Sequence, residues 1–285
     1  MNIMDTPSDQ IIRRYLKRWP VAAFLLAEMP LTTFSLSSPQ TGTDYQIMVE
    51  APEAADEPGP WPAVLFMDGD EVFEYAVNVY RELRASNAVP PVLLVGVGYG
   101  LSPMAFGDWT NFTFTKSANK RLRDYTATQM QTEPESGGAN DFVAFLTDTL
   151  LPELARRYSV DSTACGLAGH SLGSLAVIHA LLHAKPVFTR FLASAPSLWW
   201  DDRSPLKQIA TRRENSPNLS AKLYLSIGAD DALDMTGDFT LLEQQLSENP
   251  FDGLELIVRR IPQRDHYNVI EEAFREGLLN LFSHP

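Results

Sequence analysis

Short apolar runs recur along the chain, and polar or glycine- and proline-containing segments separate them. Residues 44–50 alternate between polar and apolar types, which is typical of a half-buried strand. The runs at 63–67, 91–97 and 163–168 are short and continuous, as expected for strands buried on both faces of a parallel sheet. Three further runs predict strands at 191–194, 221–227 and 254–261.

Helical periodicity marks several segments between these strands. From Phe142 to Tyr158 an apolar residue recurs at every fourth position, which predicts a helix with one face toward the core. Pro152 lies inside this pattern and predicts a kink or a break, because proline lacks an N–H donor and its ring clashes with the preceding turn. Two further helices are predicted at 174–183 and 269–282.

Strands and helices alternate along the chain, and this order is typical of βαβ units. We therefore predict an α/β fold with a mostly parallel central sheet and helices on both faces. A length of 285 residues fits one such domain, residues 1–285. Within it, residues 1–34 are predicted as an N-terminal extension. Residues 101–140 lack a sustained period and are predicted as a long loop excursion near the functional site.

Charge and cysteine content narrow the range of partners. The formal net charge is −13, so we expect no nucleic-acid partner, because phosphate binding needs a basic face. No apolar run reaches the roughly 18 residues that a membrane span needs. Cys165 is the one cysteine, and we expect a buried thiol in a chain that needs no oxidising compartment. We expect a cytoplasmic protein, since the basic and apolar N-terminal stretch resembles a signal peptide only loosely.

The segment Gly169-His170-Ser171-Leu172-Gly173 carries the first candidate chemistry, because it fits the pattern G-x-S-x-G. A predicted strand precedes it and a predicted helix follows it, which is the setting of a nucleophile elbow. Such a turn is tight, so we expect a side chain at either glycine to collide with neighbouring backbone. Ser171 is then the predicted nucleophile. The alternative is a glycine-rich turn in which the serine only caps a helix.

A serine hydroxyl needs a general base, and the chain contains five histidines. His170 lies inside the elbow, where we expect its ring to point away from Ser171. His179 and His183 lie on the helix that follows, and His284 lies at the chain end. His266 remains, in the loop between the strand at 254–261 and the last helix. This position and the order serine, acid, histidine match the α/β-hydrolase arrangement. The alternative is a histidine in a surface loop.

The acid is expected between Ser171 and His266, at the end of another strand. The strand at 221–227 is followed by two candidates, Asp230 and Asp231. The carboxylate of the catalytic acid would orient the imidazole of His266 and stabilise its cation. We prefer Asp231 over Asp230, with Asp234 as a weaker third candidate. The alternative is that both aspartates only form a turn.

An oxyanion hole needs two backbone N–H donors. One is expected from Leu172, the residue after the nucleophile. The other is expected from the segment Asp68-Gly69-Asp70, which follows the strand at 63–67, and we assign it to Asp70. The alternative is that Gly69 marks a simple turn.

These residues resemble the "Putative esterase" family of α/β-hydrolases, which includes siderophore (enterobactin-type) esterases, feruloyl esterases and esterase D. The similar segments occur in order as Asp68-Gly69, Arg123-Asp124-Tyr125-Thr126, Gly137-Gly138-Ala139, the elbow, Ser194-Ala195-Pro196-Ser197-Leu198-Trp199-Trp200, and Asp265-His266. The tryptophan segment is the most specific of them. Siderophore esterases often carry glutamate near the position of Asp231. The resemblance implies the α/β-hydrolase fold and an esterase.

Three further expectations complete this interpretation. Trp199 and Trp200 are candidates for the wall of a substrate pocket, the alternative being that both lie in the core. Arg123 and Asp124 are expected to pair and to brace the long loop. The predicted function is a serine carboxylic-ester hydrolase that forms an acyl-enzyme on Ser171, with His266 as general base.

The expected substrate is a small-molecule ester, and the reaction implies neither a metal nor an organic cofactor. Two alternatives stay open. One is a thioesterase or peptidase on the same fold, and the other is a non-catalytic binding module that retains the fold.

Overall fold

An eight-stranded sheet forms the centre of the molecule. The computed structural model describes residues 31–52, 58–100 and 116–282. The strands follow the order β1-β2-β4-β3-β5-β6-β7-β8 across the sheet. They are β1 Thr32–Ser38, β2 Thr43–Glu50, β3 Ala63–Met67, β4 Leu93–Gly98, β5 Cys165–His170, β6 Phe188–Ser194, β7 Asn218–Gly228 and β8 Asp252–Ile261. Strand β2 is antiparallel to both of its neighbours and every other adjacent pair is parallel, which confirms the predicted mostly parallel sheet.

Helices cover both faces of this sheet, as predicted. They are α1 Gly69–Ala85, α2 Lys116–Tyr125, α3 Ala139–Phe145, α4 Leu151–Arg157, α5 Leu172–His183, α6 Trp200–Asn215, α7 Leu233–Glu248 and α8 Ile270–Phe282. Side chains of β3 point alternately to the two faces, so that Leu65 belongs to one apolar cluster and Phe66 to the other. Phe66 packs with Phe73 of α1 and Phe274 of α8, whereas α2 to α7 supply helical residues to the cluster around Leu65.

The break predicted at Pro152 takes the form of a π-helical turn. This turn, Leu146–Leu150, joins α3 to α4. Pro152 has no N–H to donate to the preceding turn, and its ring crowds the carbonyl there, so a wider turn lets the chain continue. The apolar stripe stays buried through the interruption, with Phe142, Leu146, Leu150 and Leu154 all in the core.

One strand and four helices were not predicted: β1, α1, α2, α6 and α7. The first residues of β1 fall within 1–34, the segment predicted as an extension, and β1 is an edge strand whose Phe34 and Leu36 are only partly buried. Helix α2 lies within 101–140, so the prediction of a loop is wrong for Lys116–Tyr125. Residues 101–115 and His284 lie outside the described residues.

Candidate active site

The turn between β5 and α5 holds Ser171 in a backbone conformation that non-glycine residues rarely adopt. Its φ is 56° and its ψ is −121°. Such a position costs on the order of 1–3 kcal/mol and persists only when its surroundings enforce it. The N–H of Ser171 donates a 2.9 Å hydrogen bond to the carbonyl oxygen of Ser194 at the end of β6. The buried Ser174 hydroxyl lies 2.8 Å from the carbonyl oxygen of Gly169 and 2.7 Å from that of Ser194. Backbone partners on two strands therefore stabilise the turn.

The two glycines of the elbow are required for different reasons. A Cβ at Gly169 would lie 2.4 Å from the carbonyl oxygen of Gly173, which is the expected collision with backbone. A Cβ at Gly173 would lie 3.1 Å from both the Asp68 carboxylate and the Met67 Cβ. The expectation is therefore wrong for Gly173, where tight contacts with side chains set the limit.

Ser171, His266 and Asp231 form a continuous chain of hydrogen bonds. Nε2 of His266 lies 3.0 Å from Oγ of Ser171, and Nδ1 lies 2.9 Å from Oδ2 of Asp231. The Asp231 side chain is fully buried, and its other oxygen accepts a 2.7 Å hydrogen bond from the N–H of Ala232. A neutral imidazole that donates its Nδ1–H to this carboxylate presents an acceptor at Nε2 to the serine hydroxyl.

The loops that carry the acid and the histidine follow the adjacent strands β7 and β8. The N–H of Ala229 donates a 2.8 Å hydrogen bond to the carbonyl oxygen of Ile261, so the two loops leave the sheet together. The Asp265 carboxylate then accepts 3.0 Å hydrogen bonds from the N–H groups of Tyr267 and Asn268. This compact turn places the ring of His266 above the end of the sheet.

The structure separates the three candidate acids. Asp231 contacts His266, whereas Asp230 is exposed. Asp234 is also exposed, and its carboxylate accepts a 3.1 Å hydrogen bond from the N–H of Met235. The geometry therefore brings the preferred residue, Asp231, to the imidazole.

His170 packs against the ring of His266, at a centroid distance of 4.8 Å. Its Nδ1 lies 3.2 Å from the Ser194 hydroxyl. Burial lowers the pKa of His170 well below its ordinary value, and the positive charge of Arg121 acts in the same direction. A neutral ring therefore supports one side of the His266 imidazole.

The other described histidines lie on α5. Nε2 of His179 lies 2.8 Å from the Asn140 side-chain oxygen, and burial lowers the pKa of His179 to about 4. The His183 ring lies 4.7 Å from that of His179. Within residues 31–52, 58–100 and 116–282, no group of three or more His, Cys, Asp or Glu side chains is placed to hold a metal ion.

The segment expected to supply the second oxyanion donor forms the start of α1. Asp68 has a left-handed φ of 56°, and its carbonyl oxygen accepts hydrogen bonds from the N–H groups of Glu71 and Val72. A Cβ at Gly69 would lie 2.8 Å from backbone atoms of β4, so this glycine allows a close approach that a simple turn would not need. Leu172 is the first residue of α5 and Asp70 the second of α1, so the N–H groups of both lie at a helix N-terminus.

An ion pair fixes the base of this loop. Arg121 of α2 binds the Asp68 carboxylate through both Nε and Nη2, with 2.8 Å between Nη2 and Oδ2. The N–H of Asp68 donates a 2.9 Å hydrogen bond to the Tyr125 hydroxyl. Because Asp68 is 3% exposed, this pair is a buried one. Helix α2 therefore holds the start of α1 beside the elbow.

Arg123 and Asp124 pair, at 2.7 Å, as expected. Asp124 is fully buried and also accepts a 2.7 Å hydrogen bond from the Tyr45 hydroxyl, while Arg123 donates to the Thr43 hydroxyl at 2.9 Å. The pair therefore connects the end of α2 to β2.

The two tryptophans occupy different environments. Trp200 is 3% exposed, packs with Leu122 and Leu175, and donates its ring N–H to the Thr128 carbonyl oxygen at 3.3 Å. Trp199 is only partly buried beside this cluster. The structure therefore assigns Trp200 to the core and leaves Trp199 as the candidate pocket residue.

Three residues near the site were not selected from the sequence: Ser197, Glu71 and Arg121. Oγ of Ser197 lies 3.3 Å from Oγ of Ser171. Burial raises the pKa of Glu71 to about 7, against the opposing effect of the Arg121 charge. Ser197 belongs to the family-like segment 194–200 that contains both tryptophans, and this resemblance was the one signal in the sequence that pointed to Ser197. The sequence does not show that the turn after β6 passes directly over the elbow.

Comparison with known proteins gives one consistent result. The model of the family described as "Putative esterase" matches residues 38–252. The ferri-bacillibactin esterase of Bacillus subtilis is 28% identical over 191 residues, which span 64% of this chain and 65% of that protein. The siderophore triacetylfusarinine C esterase of Aspergillus fumigatus is 27% identical over 250 residues, which span 79% of this chain and 82% of that protein.

A solved structure shares the same fold. The BES protein from Bacillus cereus superposes with a TM-score of 0.77 at 23% identity, covering 94% of this chain and all of that one. As for membranes, none of the helices within the described ranges is long and apolar enough to cross a bilayer.

Proposed function

The chain belongs to the "Putative esterase" family of α/β-hydrolases, which confirms the predicted class of enzyme, and we propose that it cleaves carboxylic esters through an acyl-enzyme on Ser171. The hydrogen-bonded chain at the ends of β5, β7 and β8 carries this proposal. The 3.0 Å from Ser171 Oγ to His266 Nε2 suits direct proton transfer, and the 2.9 Å from His266 Nδ1 to Asp231 Oδ2 suits a hydrogen bond that orients the imidazole.

Acylation begins when Ser171 Oγ attacks the ester carbonyl carbon and its proton passes to Nε2 of His266. The carbonyl electron pair moves to oxygen, where the N–H groups of Leu172 and Asp70 stabilise the negative charge. Collapse of this intermediate breaks the bond to the alcohol, which takes the proton from His266. Asp231 stays ionised throughout, holds the imidazole and stabilises its cation.

Deacylation repeats these steps with water as the nucleophile. Water gives a proton to His266 as it attacks the acyl carbon, and the second intermediate then expels Ser171 Oγ. The proton returns from Nε2 to Oγ, and the carboxylic acid leaves. The strained serine backbone supports this role, because it holds Oγ in one orientation through both half-reactions.

For the substrate we infer an ester of a siderophore, the class for which the two curated relatives are named. Trp199 supports this inference, because a partly buried aromatic ring near the elbow offers an apolar wall to a large ligand. A panel of a hydroxamate siderophore ester, a catecholate trilactone, a feruloyl ester and an acetylated sugar tests it. A higher kcat/KM for the feruloyl ester or the acetylated sugar than for both siderophore esters would contradict the siderophore assignment.

We place the enzyme in the cytoplasm. The cysteine content supports this location, because Cys165 is the one cysteine of the sequence and cannot form an intramolecular disulfide, so the fold needs no oxidising compartment. Fractionation of cells that express the full chain tests the location, and recovery of the enzyme outside the cell would refute it.

Replacement of the nucleophile tests the proposed reaction. Ser171→Ala is expected to lower kcat on p-nitrophenyl acetate by at least about 1,000-fold, because the remaining site can no longer form an acyl-enzyme. Ser247→Ala, on an exposed face of α7, is the matched control and should retain parental activity. Activity of the Ser171 variant within tenfold of the parent would end the assignment.

Two measurements separate the alternatives. Rates on an ester, a thioester and an amide with the same acyl group distinguish an esterase from a thioesterase or peptidase. A fluorophosphonate reagent should label Ser171 of the parent and leave Ser171→Ala unlabelled. A folded parent chain that resists this reagent would favour a binding module.

A further inference from the structure

Ser197 places a second hydroxyl beside that of Ser171. The two Oγ atoms lie 3.3 Å apart, and Ser197 is 2% exposed. The N–H of Ser197 donates a 3.3 Å hydrogen bond to the carbonyl oxygen of Ser171, and its own carbonyl oxygen accepts one of 3.2 Å from Trp200. Backbone contacts on both sides therefore fix this hydroxyl against the elbow.

The turn that carries Ser197 is itself anchored to the sheet. Ala195 has a φ of 42°, a value that favours glycine, and its N–H donates a 2.7 Å hydrogen bond to the carbonyl oxygen of Ser226 in β7. Pro196 follows and restricts the backbone further. The hydroxyl of Ser197 is thus held in position before a substrate arrives.

The triad determines which hydroxyl is the donor in this contact. His266 donates Nδ1–H to Asp231, so its Nε2 carries no proton and accepts a hydrogen bond. The single hydroxyl proton of Ser171 is used in that hydrogen bond to Nε2. Oγ of Ser171 then has lone pairs available and no proton left. The Ser197 hydroxyl is therefore the donor, and Oγ of Ser171 is the acceptor.

We propose that Ser197 is a further catalytic residue, whose hydroxyl assists the departure of Ser171 Oγ during deacylation. This proposal rests on the proposed function. In the acyl-enzyme, Oγ is an ester oxygen and a weak acceptor, because its lone pair is delocalised into the carbonyl group. When the second tetrahedral intermediate collapses, the C–Oγ bond breaks and its electron pair goes to Oγ. The proton comes from Nε2 of His266, and Ser197 contributes a hydrogen bond without losing its own proton.

This contact acts unequally on the two half-reactions. In acylation, the free enzyme already has the hydrogen bond to Oγ, so the bond stabilises the starting state about as much as the transition state and changes the rate little. In deacylation, the bond is weak in the acyl-enzyme and strengthens as charge develops on Oγ, so it lowers the barrier. A residue that only supported the fold would affect both half-reactions.

Stopped-flow kinetics of Ser197→Ala with p-nitrophenyl acetate test the assignment. The fast release of nitrophenol reports acylation, and the steady rate reports hydrolysis of the acyl-enzyme. We expect acylation within about threefold of the parent and deacylation slowed about tenfold, the effect of one hydrogen bond. Acetylated Ser171 should accumulate in the variant and be visible by mass spectrometry of the quenched protein.

Two further variants keep the test decisive if removal of the hydroxyl disturbs packing. Ser197→Thr retains the donor and Ser197→Val has nearly the same shape without it, so the Thr variant should deacylate about tenfold faster than the Val variant. Equal deacylation in this pair, or an equal loss in both half-reactions of Ser197→Ala, would overturn the role of Ser197. A parent chain that neither turns over the ester nor becomes acylated would instead refute the proposed function, and the inference with it.

Discussion

The backbone N–H of Asp230 donates a 2.9 Å hydrogen bond to the carbonyl oxygen of Arg264. This bond joins the loop after β7 to the loop after β8, directly beside the contact between Asp231 and His266. Gly228 permits the approach, because a Cβ there would lie 2.3 Å from the same carbonyl oxygen. The side chains of the acid and the histidine thus meet because the backbones behind them are already joined.

Gly228→Ala is expected to separate these two loops. The new methyl group collides with the Arg264 backbone, so we expect kcat/KM to fall more than tenfold and the thermal unfolding midpoint to fall as well. Gly237→Ala is the matched control, since no heavy atom beyond its chain neighbours and the backbone of its own helix, α7, lies within 4 Å of its added Cβ. That control should gain about 0.5–1 kcal/mol in stability, because alanine favours a helix. Parental activity in Gly228→Ala would show that the loops tolerate separation.

Asp231→Asn is expected to lower kcat by about 1,000-fold or more while the protein stays folded. The amide cannot stabilise the imidazolium and favours the wrong tautomer of His266. Asp230→Asn removes the neighbouring exposed carboxylate and should stay within about twofold of the parent, because only its backbone takes part in the loop contact. The reverse ranking of the two variants in steady-state assays would transfer the role of the acid to Asp230.

Arg121→Met is expected to destabilise the fold because it leaves the Asp68 carboxylate buried without its cation. Removing one partner of a buried pair costs about 3–5 kcal/mol, and urea unfolding monitored by tryptophan fluorescence measures the loss. The pair of Arg156 with Glu153 is exposed, so Arg156→Met serves as a control with little expected change. Adding Asp68→Asn to Arg121→Met should recover part of the loss. A single variant as stable as the parent would argue against a structural role for this pair.

Glu71 is expected to make stability depend on pH. Burial raises its pKa from the ordinary 4.5 to about 7 in the folded chain, although the Arg121 charge opposes the shift. The folded chain therefore holds this proton more tightly than the unfolded chain, and the group costs stability as pH rises from about 4.5 to 7. Glu71→Gln removes this cost, so its unfolding free energy should exceed that of the parent by more at pH 8 than at pH 5.

Urea titrations at the two pH values measure this difference, and Glu74→Gln is the control because Glu74 is exposed on the same helix. We expect the control to show the same pH dependence as the parent. A constant difference between Glu71→Gln and the parent at both pH values would contradict the raised pKa.

The parts of this molecule that the sequence predicted are those with a local signature. β3, Ala63–Met67, is buried along its whole length, so its continuous apolar run matched the observed strand. Ser171 was identified because glycines, a preceding strand and a following helix all lie within a few residues of it. His266 was selected because few histidines compete and the fold allows one position for the base.

The missed parts depend on contacts between residues distant in sequence. Ser197 is 26 residues from Ser171, and its contact with the elbow arises from the path of the turn after β6. The pKa of Glu71 is set by its surroundings and not by its neighbours in the chain. Helix α2 was not predicted because its residues are mostly polar, and Leu122 and Tyr125 are its buried apolar residues within the part whose side chains are described.

The positions of Ser171, Asp231 and His266 at three separate strand ends have a practical consequence. A fragment that lacks one of these strands cannot bring the three catalytic side chains together. A partly folded chain is therefore inactive in a turnover assay. Hydrolysis of a chromogenic ester can therefore serve as a sensitive reporter of cooperative assembly. The absorbance of the released product could then measure refolding yields, chaperone dependence and the tolerance of surface loops to insertion.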